Sequence, residues 1–371
     1  GMAHENPFGW NQGFLAEKEQ GDILVRLFED ILAEDMMGGL IFTWQDEWFK
    51  RTWNTMDYDN PDRRPHWSNA QTNEQHFGLL SFDRLKIKLD GKKDDWKGAK
   101  PVYSAKNNIL RHVFMDHDER YLYVRMDLDT AKSGWTKNVS PVLLFDVSPG
   151  QGNKKIDSVS DVQLESGADF LLTINGKKEG QLLVNSYYDP FLYQYGVQAK
   201  ILKPIPEKPQ DNSGTFNPIY YALNKERTRP DTKEVLPFEY YETGKLRHGN
   251  GNPESGDYDS LADYYIDEKN GILEIRIPWL LLNVKDPSQR EVMGDLYKQG
   301  LEGSVQTEGI AMAALLVDKD NRVKESFPDM GPNHLLEKPF LYTWEKWDQP
   351  EAKERLKQSY DAVQKYFETI K

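Results

Sequence analysis

Near the start of the chain, Ile23, Leu24, Leu27, Phe28, Ile31 and Leu32 recur at helical spacing, which predicts an amphipathic helix within Phe14 to Met37. Gly38-Gly39 supplies its stop, because glycine enters the left-handed conformation that ends helices at no steric cost. Leu40-Ile41-Phe42-Thr43-Trp44 follows with the unbroken apolar character of a strand buried on both faces. A helix and then a buried strand is the grammar of an α/β unit. From Gln45 to Phe82 the regular pattern is lost, and Trp48, Trp53, Tyr58 and Trp67 lie among Asp57, Asp59, Asp62, Arg63 and Arg64. An irregular stretch of that length points to function.

Beyond Leu85 the period changes to two, the signature of strands in a sheet. Between Tyr121 and Asp129, Leu122, Val124, Met126 and Leu128 face a core while Tyr123, Arg125, Asp127 and Asp129 face the other way. Val142 to Val147, Phe170 to Ile174, Gln181 to Asn185, Leu273 to Ile277 and Ile310 to Val317 read as further strands. Asn175-Gly176 predicts one hairpin and Asp318 to Asn321 another. Pro204 to Asp259 is too long for a simple connection and reads as an insertion with paired tyrosines at 220–221 and 240–241. At the C-terminus Asp348 and Glu351 frame a capping box, and Leu356, Val363, Tyr366 and Ile370 form the stripe of a docking helix. The expected fold class is mainly β: an antiparallel β-sandwich (84–347, insertion 204–259) between an N-terminal α/β barrel remnant (1–83) and a C-terminal helix (348–371).

Composition narrows the function. With 60 acidic against 47 basic residues, a net charge of -13 repels a phosphate backbone, so nucleic acid is not an expected partner. Zero cysteines removes disulfides, thiolate catalysis and cysteine-ligated zinc, and leaves the compartment open. No apolar run approaches the roughly 20 residues of a membrane span. Gly1-Met2 reads as a tag remnant before a start codon, so the missing signal peptide says little about location.

Gly38 to Trp48 resembles the last strand of the (β/α)8 barrel of retaining glycoside hydrolases of family 2, where a Gly-Gly pair precedes an apolar strand ending in a sugar-flooring tryptophan. That resemblance puts Trp44 on the floor of a subsite, with Asp46, Glu47 and Trp48 at the rim. The nucleophile of such enzymes stands on an earlier strand, so the chain would hold only about 80 of roughly 250 barrel residues. The missing N-terminal barrel portion would then be a partner. A second resemblance spans about Leu85 to Tyr342. Asp90-Gly91…Asp95-Trp96, Tyr121-Leu122-Tyr123-Val124, Leu144-Phe145-Asp146 and Leu273-Glu274-Ile275-Arg276-Ile277-Pro278-Trp279 are similar, in order and spacing, to family 9 carbohydrate-binding modules and the related DOMON-like sandwiches. An oligo- or polysaccharide ligand is what this implies, with Trp96 and Trp279 in core positions.

Retaining glycosidases need paired carboxylates about 5 Å apart. Asp46 and Glu47 are the candidates for catalysis, but as neighbours on an extended chain they point in opposite directions, and a hydrogen-bonded rim beside Arg51, Arg63 or Arg64 is the competing reading. Aromatic rings stack on the C–H faces of sugars, which makes Trp44, Trp48, Trp53 and Trp67 candidates for a subsite wall. Trp135, Tyr187, Tyr188, Tyr193, Tyr195, Tyr220 and Tyr221 are candidates within the sandwich, with packing as the alternative for each. Asp116, Asp118 and Glu119 could hold the structural calcium that family 9 modules often carry, although their spacing departs from Asp-x-Asp-x-Asp-Gly and also suits a solvated turn. No His-Glu-x-x-His occurs, and the glycines at 150 and 152 lack the third that a dinucleotide loop requires.

The leading expectation is a carbohydrate-binding, substrate-positioning region of a larger bacterial glycosidase-like protein, extracellular or at the cell surface if that protein is exported. The alternatives are a glycoside hydrolase acting on polysaccharide and an accessory part of an exopolysaccharide-synthesis protein fused to a family 2 glycosyltransferase.

Overall fold

The computed structural model describes residues 14–57, 59–60, 62–63, 75–133, 138–159 and 162–370. Two antiparallel sheets form its body. One has five strands, β1 (Tyr103–Ser104), β2 (Leu110–His117), β3 (Tyr121–Leu128), β9 (Tyr264–Asp267) and β10 (Ile272–Pro278), in the order β9-β10-β3-β2-β1. The other is built on β4 (Ser140–Asp146), β5 (Phe170–Asn175), β6 (Glu179–Asn185), β7 (Phe216–Pro218), β11 (Ile310–Val317) and β12 (Val323–Phe327), ordered β7-β6-β5-β4-β11-β12. Its two short additions are β8 (Lys245–Leu246), paired with β6, and β13 (Phe340–Tyr342), paired with β11.

The period-two pattern decides how these sheets bury their faces. Leu122, Val124, Met126 and Leu128 of β3 and Leu273, Ile275 and Ile277 of β10 share one hydrophobic cluster with Leu143 and Phe145 of β4, Phe170, Leu172 and Ile174 of β5, and Ile310, Met312, Ala314 and Leu316 of β11. The intervening residues are buried too. Val142, Leu144, Leu171, Ala313, Leu315 and Val317 pack against Ile156, Val159, Val162, Leu164 and Ala168, while Tyr121 and Tyr123 pack under Leu85, Ile87 and Trp96. The outer face of β3 is therefore covered rather than solvated, and Arg125 and Asp127 are buried as an ion pair with an Nε–Oδ1 distance of 2.7 Å. Each fully buried Leu, Ile or Phe contributes about 1.5–3 kcal/mol, so the alternation carries the body of the fold.

Both expected hairpins form, β5 with β6 and β11 with β12. The expected insertion is partly woven into the sheet, since β7 and β8 within it both pair with β6.

The N-terminal segment departs from expectation. Helix α1 (Glu17–Ala33) forms, but residues 40–44 are not a strand. Leu40 is fully solvent-exposed, Phe42 is 61% exposed and Trp44 54% exposed; only Thr43 and Trp44 bond through their backbone to the 77–80 segment, so the run is not buried on both faces. The C-terminal helix α2 (Gln358–Phe367) starts later than the Asp348–Glu351 capping box. The chain before it is extended instead: Arg355–Leu356 pairs with Leu80–Ser81, and the Lys357 amide donates to the Leu79 carbonyl at 2.9 Å. Glu351 turns aside to pair with Arg84 at 2.7 Å. α1 and α2 pack directly, with Phe28 edge-on to Phe367 at 5.0 Å.

Candidate functional site

Where α1, the 76–85 loop, the start of β3, the end of β10, the 241–263 segment and Lys357 converge, a cavity of about 220 Å³ opens. A smaller space of about 30 Å³, room for a water or two, lies beside it and shares the walls His76, Asp83 and Arg120. Residues distant in sequence are drawn together here by buried charge.

Glu17, in the first turn of α1, accepts both Nη atoms of Arg355 at 3.0 and 2.7 Å and the Gln358 amide at 3.2 Å, which ties α1 to the C-terminal segment. Asp46 accepts Lys357 Nζ at 2.6 Å and the Gly78 amide at 3.1 Å. Arg120 donates to Asp83 and, through Nη2, to His76 Nε2 at 2.7 Å. Since a guanidinium only donates, His76 Nε2 is the acceptor and the neutral ring carries its proton on Nδ1, which stands 3.5 Å from Asp46 Oδ2. Burial, reinforced by the Arg120 charge, lowers the His76 pKa to about 4, consistent with the neutral ring. Burial would raise Asp83, but Arg120 with His76 and Arg355 overrides it and holds that carboxyl below its ordinary range.

The walls of the larger cavity combine rings with polar groups. Tyr121, Tyr241 and Tyr258 line it alongside Gln20, Thr243 and Ser260. Tyr241 leans on Phe14 with ring centroids 4.0 Å apart. The guanidinium groups of both Arg120 and Arg276 lie 4.9 Å from the Tyr121 ring centroid. Burial raises the Asp263 carboxyl, which also lines the cavity, to about 6.

Of the residues singled out from the sequence, Asp46 and Trp48 border the smaller space, together with Glu119. Glu47 does not join them and pairs with Lys50 at 2.8 Å. Burial, with the Asp118 charge next to it, raises the Glu119 carboxyl to about 8. Trp44 lies on the surface against Tyr360, and Trp53 packs against Tyr195 with Lys225 over its ring. Neither lines the cavity. Trp67 and Trp135 lie outside the described residues. Tyr188 is completely buried and donates its hydroxyl to the Met293 carbonyl at 2.9 Å, so its ring has no face to offer a ligand. Tyr187 is buried as well, donating to Asp295 at 2.7 Å and covered by Tyr297 and Lys208. These two tyrosines are packing residues.

The expected calcium ligands do not converge. Asp116 pairs with Lys86, whereas Asp118 accepts the amides of Lys86, Arg120 and Tyr121 and the Tyr123 hydroxyl, which makes it a turn anchor. Among the described residues no group of three or more His, Asp or Glu is placed to hold a metal ion.

The motifs of the second resemblance do meet, as scaffold. Glu274 accepts the amides of Asp90 and Gly91 at 3.0 and 2.7 Å and the Trp96 indole at 2.8 Å, and the Trp279 indole donates to the Asp118 carbonyl at 2.9 Å. Gly91 is required there, having φ +76° and leaving no room for a Cβ, which would lie 2.9 Å from that of Asp267.

Sequence reasoning passed over Arg120, Tyr241, Tyr258, Arg276 and Lys357. For Arg276 a signal existed, the one cation of β10, set two residues from Glu274 in a run otherwise of Ile, Leu and Pro; for the others the only signal is tertiary. Comparison of the sequence with protein-family models and with curated proteins finds no match.

Proposed function

We propose that this protein is a carbohydrate-binding, substrate-positioning region of a larger glycosidase-like protein, its two sheets forming a sandwich of the carbohydrate-binding-module type and its sugar site being the cavity beside α1. The observation that carries the reading is the lining of that cavity: Tyr241 and Tyr258 alongside hydroxyl and amide groups, the combination that stacks on a pyranose face and bonds its edge. Its volume of about 220 Å³ suits one sugar ring, the rest of a chain remaining outside. The exposed Leu40, Phe42 and Trp44 support the larger-protein part of the reading, because apolar side chains gathered at a surface call for a cover.

Calorimetric titration with a panel of oligosaccharides tests it. The expected result is binding that Tyr241→Ala weakens by about 10-fold, in line with about 1.4 kcal/mol of lost stacking and burial. A panel without binding at millimolar ligand would overturn the reading. If the same glycans instead release reducing sugar, and Glu119→Gln abolishes that release, the protein is a hydrolase with Glu119 as its acid, a role suited to a carboxyl still protonated near neutral pH.

A further inference from the structure

Arg276 is the cation of the larger cavity that forms no ion pair, although the Asp263 carboxylate in the same wall acts on it through space. The other cations of the wall are matched: Arg120 by Asp83, Lys245 by Glu242, Arg247 by Asp259 and Lys357 by Asp46. Arg276 is 3% exposed, and among the described residues its side chain makes one hydrogen bond, from Nη2 to the Ser260 carbonyl at 3.0 Å, and no ion pair. Its Nε is buried without an acceptor. A guanidinium brings five N–H donors, so most of its capacity is unused. The carboxylate of Asp263, in the same wall, accepts the Arg247 amide at 2.8 Å instead. The Tyr121 face supplies only partial compensation. Burying an unpaired charge is costly, and a fold that retains one at a cavity wall leaves room for an external anion.

We propose that the cavity selects acidic sugars, seating the carboxylate of a uronate on the Arg276 guanidinium while the sugar ring lies against the tyrosine wall. This rests on the reading of the cavity as a sugar site. Carboxylate and guanidinium match as planar groups joined by two parallel hydrogen bonds.

The test is calorimetric titration of the unaltered protein with galacturonate and glucuronate trisaccharides and with their methyl esters, which keep the ring and lose the charge. The expected result is that an acid binds at least about 10-fold more tightly than its ester, as a hydrogen-bonded ion pair provides. Arg276→Gln should remove that preference, bringing the acid's affinity to within about 2-fold of the ester's in the same variant. Arg276→Lys, which keeps the charge but not the fork, should retain part of it, and circular dichroism confirms the fold of both variants. Equal binding of acid and ester overturns the acidic preference but leaves the sugar reading standing. Binding of acetate or inorganic phosphate as tight as that of the uronates overturns it in favour of a simple anion site. Absence of binding by both acid and ester overturns it together with the sugar reading.

Discussion

Glu274 shows what a single buried carboxylate does in this fold. It is fully buried, and its two oxygens receive the Asp90 and Gly91 amides and the Trp96 indole, locking the covering 90–96 turn onto β10. Removing it strands three buried donors, each costing about 1–3 kcal/mol when left unsatisfied. Glu274→Ala is therefore expected to destabilise the protein by about 3 kcal/mol or more in urea unfolding, and Glu274→Gln by less, since its amide oxygen still accepts. A loss below about 1 kcal/mol for the alanine variant would show that the turn is held by other contacts. The sequence displayed the Asp-Gly…Trp and Glu…Trp motifs but not that one side chain joins them, because the separation of 183 residues between Gly91 and Glu274 is closed only when the 90–96 turn folds over the sheet. The same limit hid the partner of Asp46. The sequence offered Arg51, Arg63 or Arg64 as its neighbours, whereas its partner in space is Lys357.

At the level of elements, the contact of α1 with α2 depends on a residue that helical periodicity does not weigh. A Cβ on Gly21 would stand 2.8 Å from Ala362 Cβ and 2.9 Å from Ser359 Cα. Alanine raises helix propensity by about 1 kcal/mol over glycine. Overpacking against backbone costs about 1–3 kcal/mol, and here the obstructing atom is a Cα that cannot move alone. Gly21→Ala is accordingly expected to lower stability by about 1 kcal/mol net and to speed hydrogen exchange across 358–367. An increase in stability would mean that α2 yields easily. The elements most faithfully foretold were the strands whose alternate residues share one core, β3, β4, β5, β10 and β11. The least faithful was Leu40 to Trp44, because an apolar run becomes a strand buried on both faces only if other elements cover it, and here only Thr43 and Trp44 bond to the 77–80 segment while Leu40 and Phe42 stay exposed.

For the whole molecule, three buried carboxyls set a pH dependence. Burial raises Glu119 and Asp169 to about 8, each aided by a neighbouring carboxylate, and Glu274 to about 7 against the opposing bonds from Gly91 and Trp96. In the unfolded chain these groups release their protons near pH 4. Between pH 4 and 8 the folded state thus binds more protons than the unfolded state, so stability falls as pH rises. His76 and His117, both lowered to about 4 chiefly by burial, act in the opposite sense, but only below the ordinary histidine value of 6.5. The interval above 6.5 is free of them. Calorimetry should find a lower Tm at pH 8.5 than at pH 6.5, with a shallower slope in Glu119→Gln; a Tm that rises over that interval would contradict the assignment.

The sequence by itself determined the strand pattern, both hairpins and the existence of helices near each end, because each follows from local periodicity or turn chemistry. Tertiary structure alone decided the rest: that both sheets are covered on their outer faces, that Tyr187 and Tyr188 are sealed away from any ligand, and that Arg120, Arg276, Tyr241, Tyr258 and Lys357 meet around one cavity. A site assembled from six separate stretches of chain has no period and no spacing, and buried charges find their partners through space rather than along the backbone.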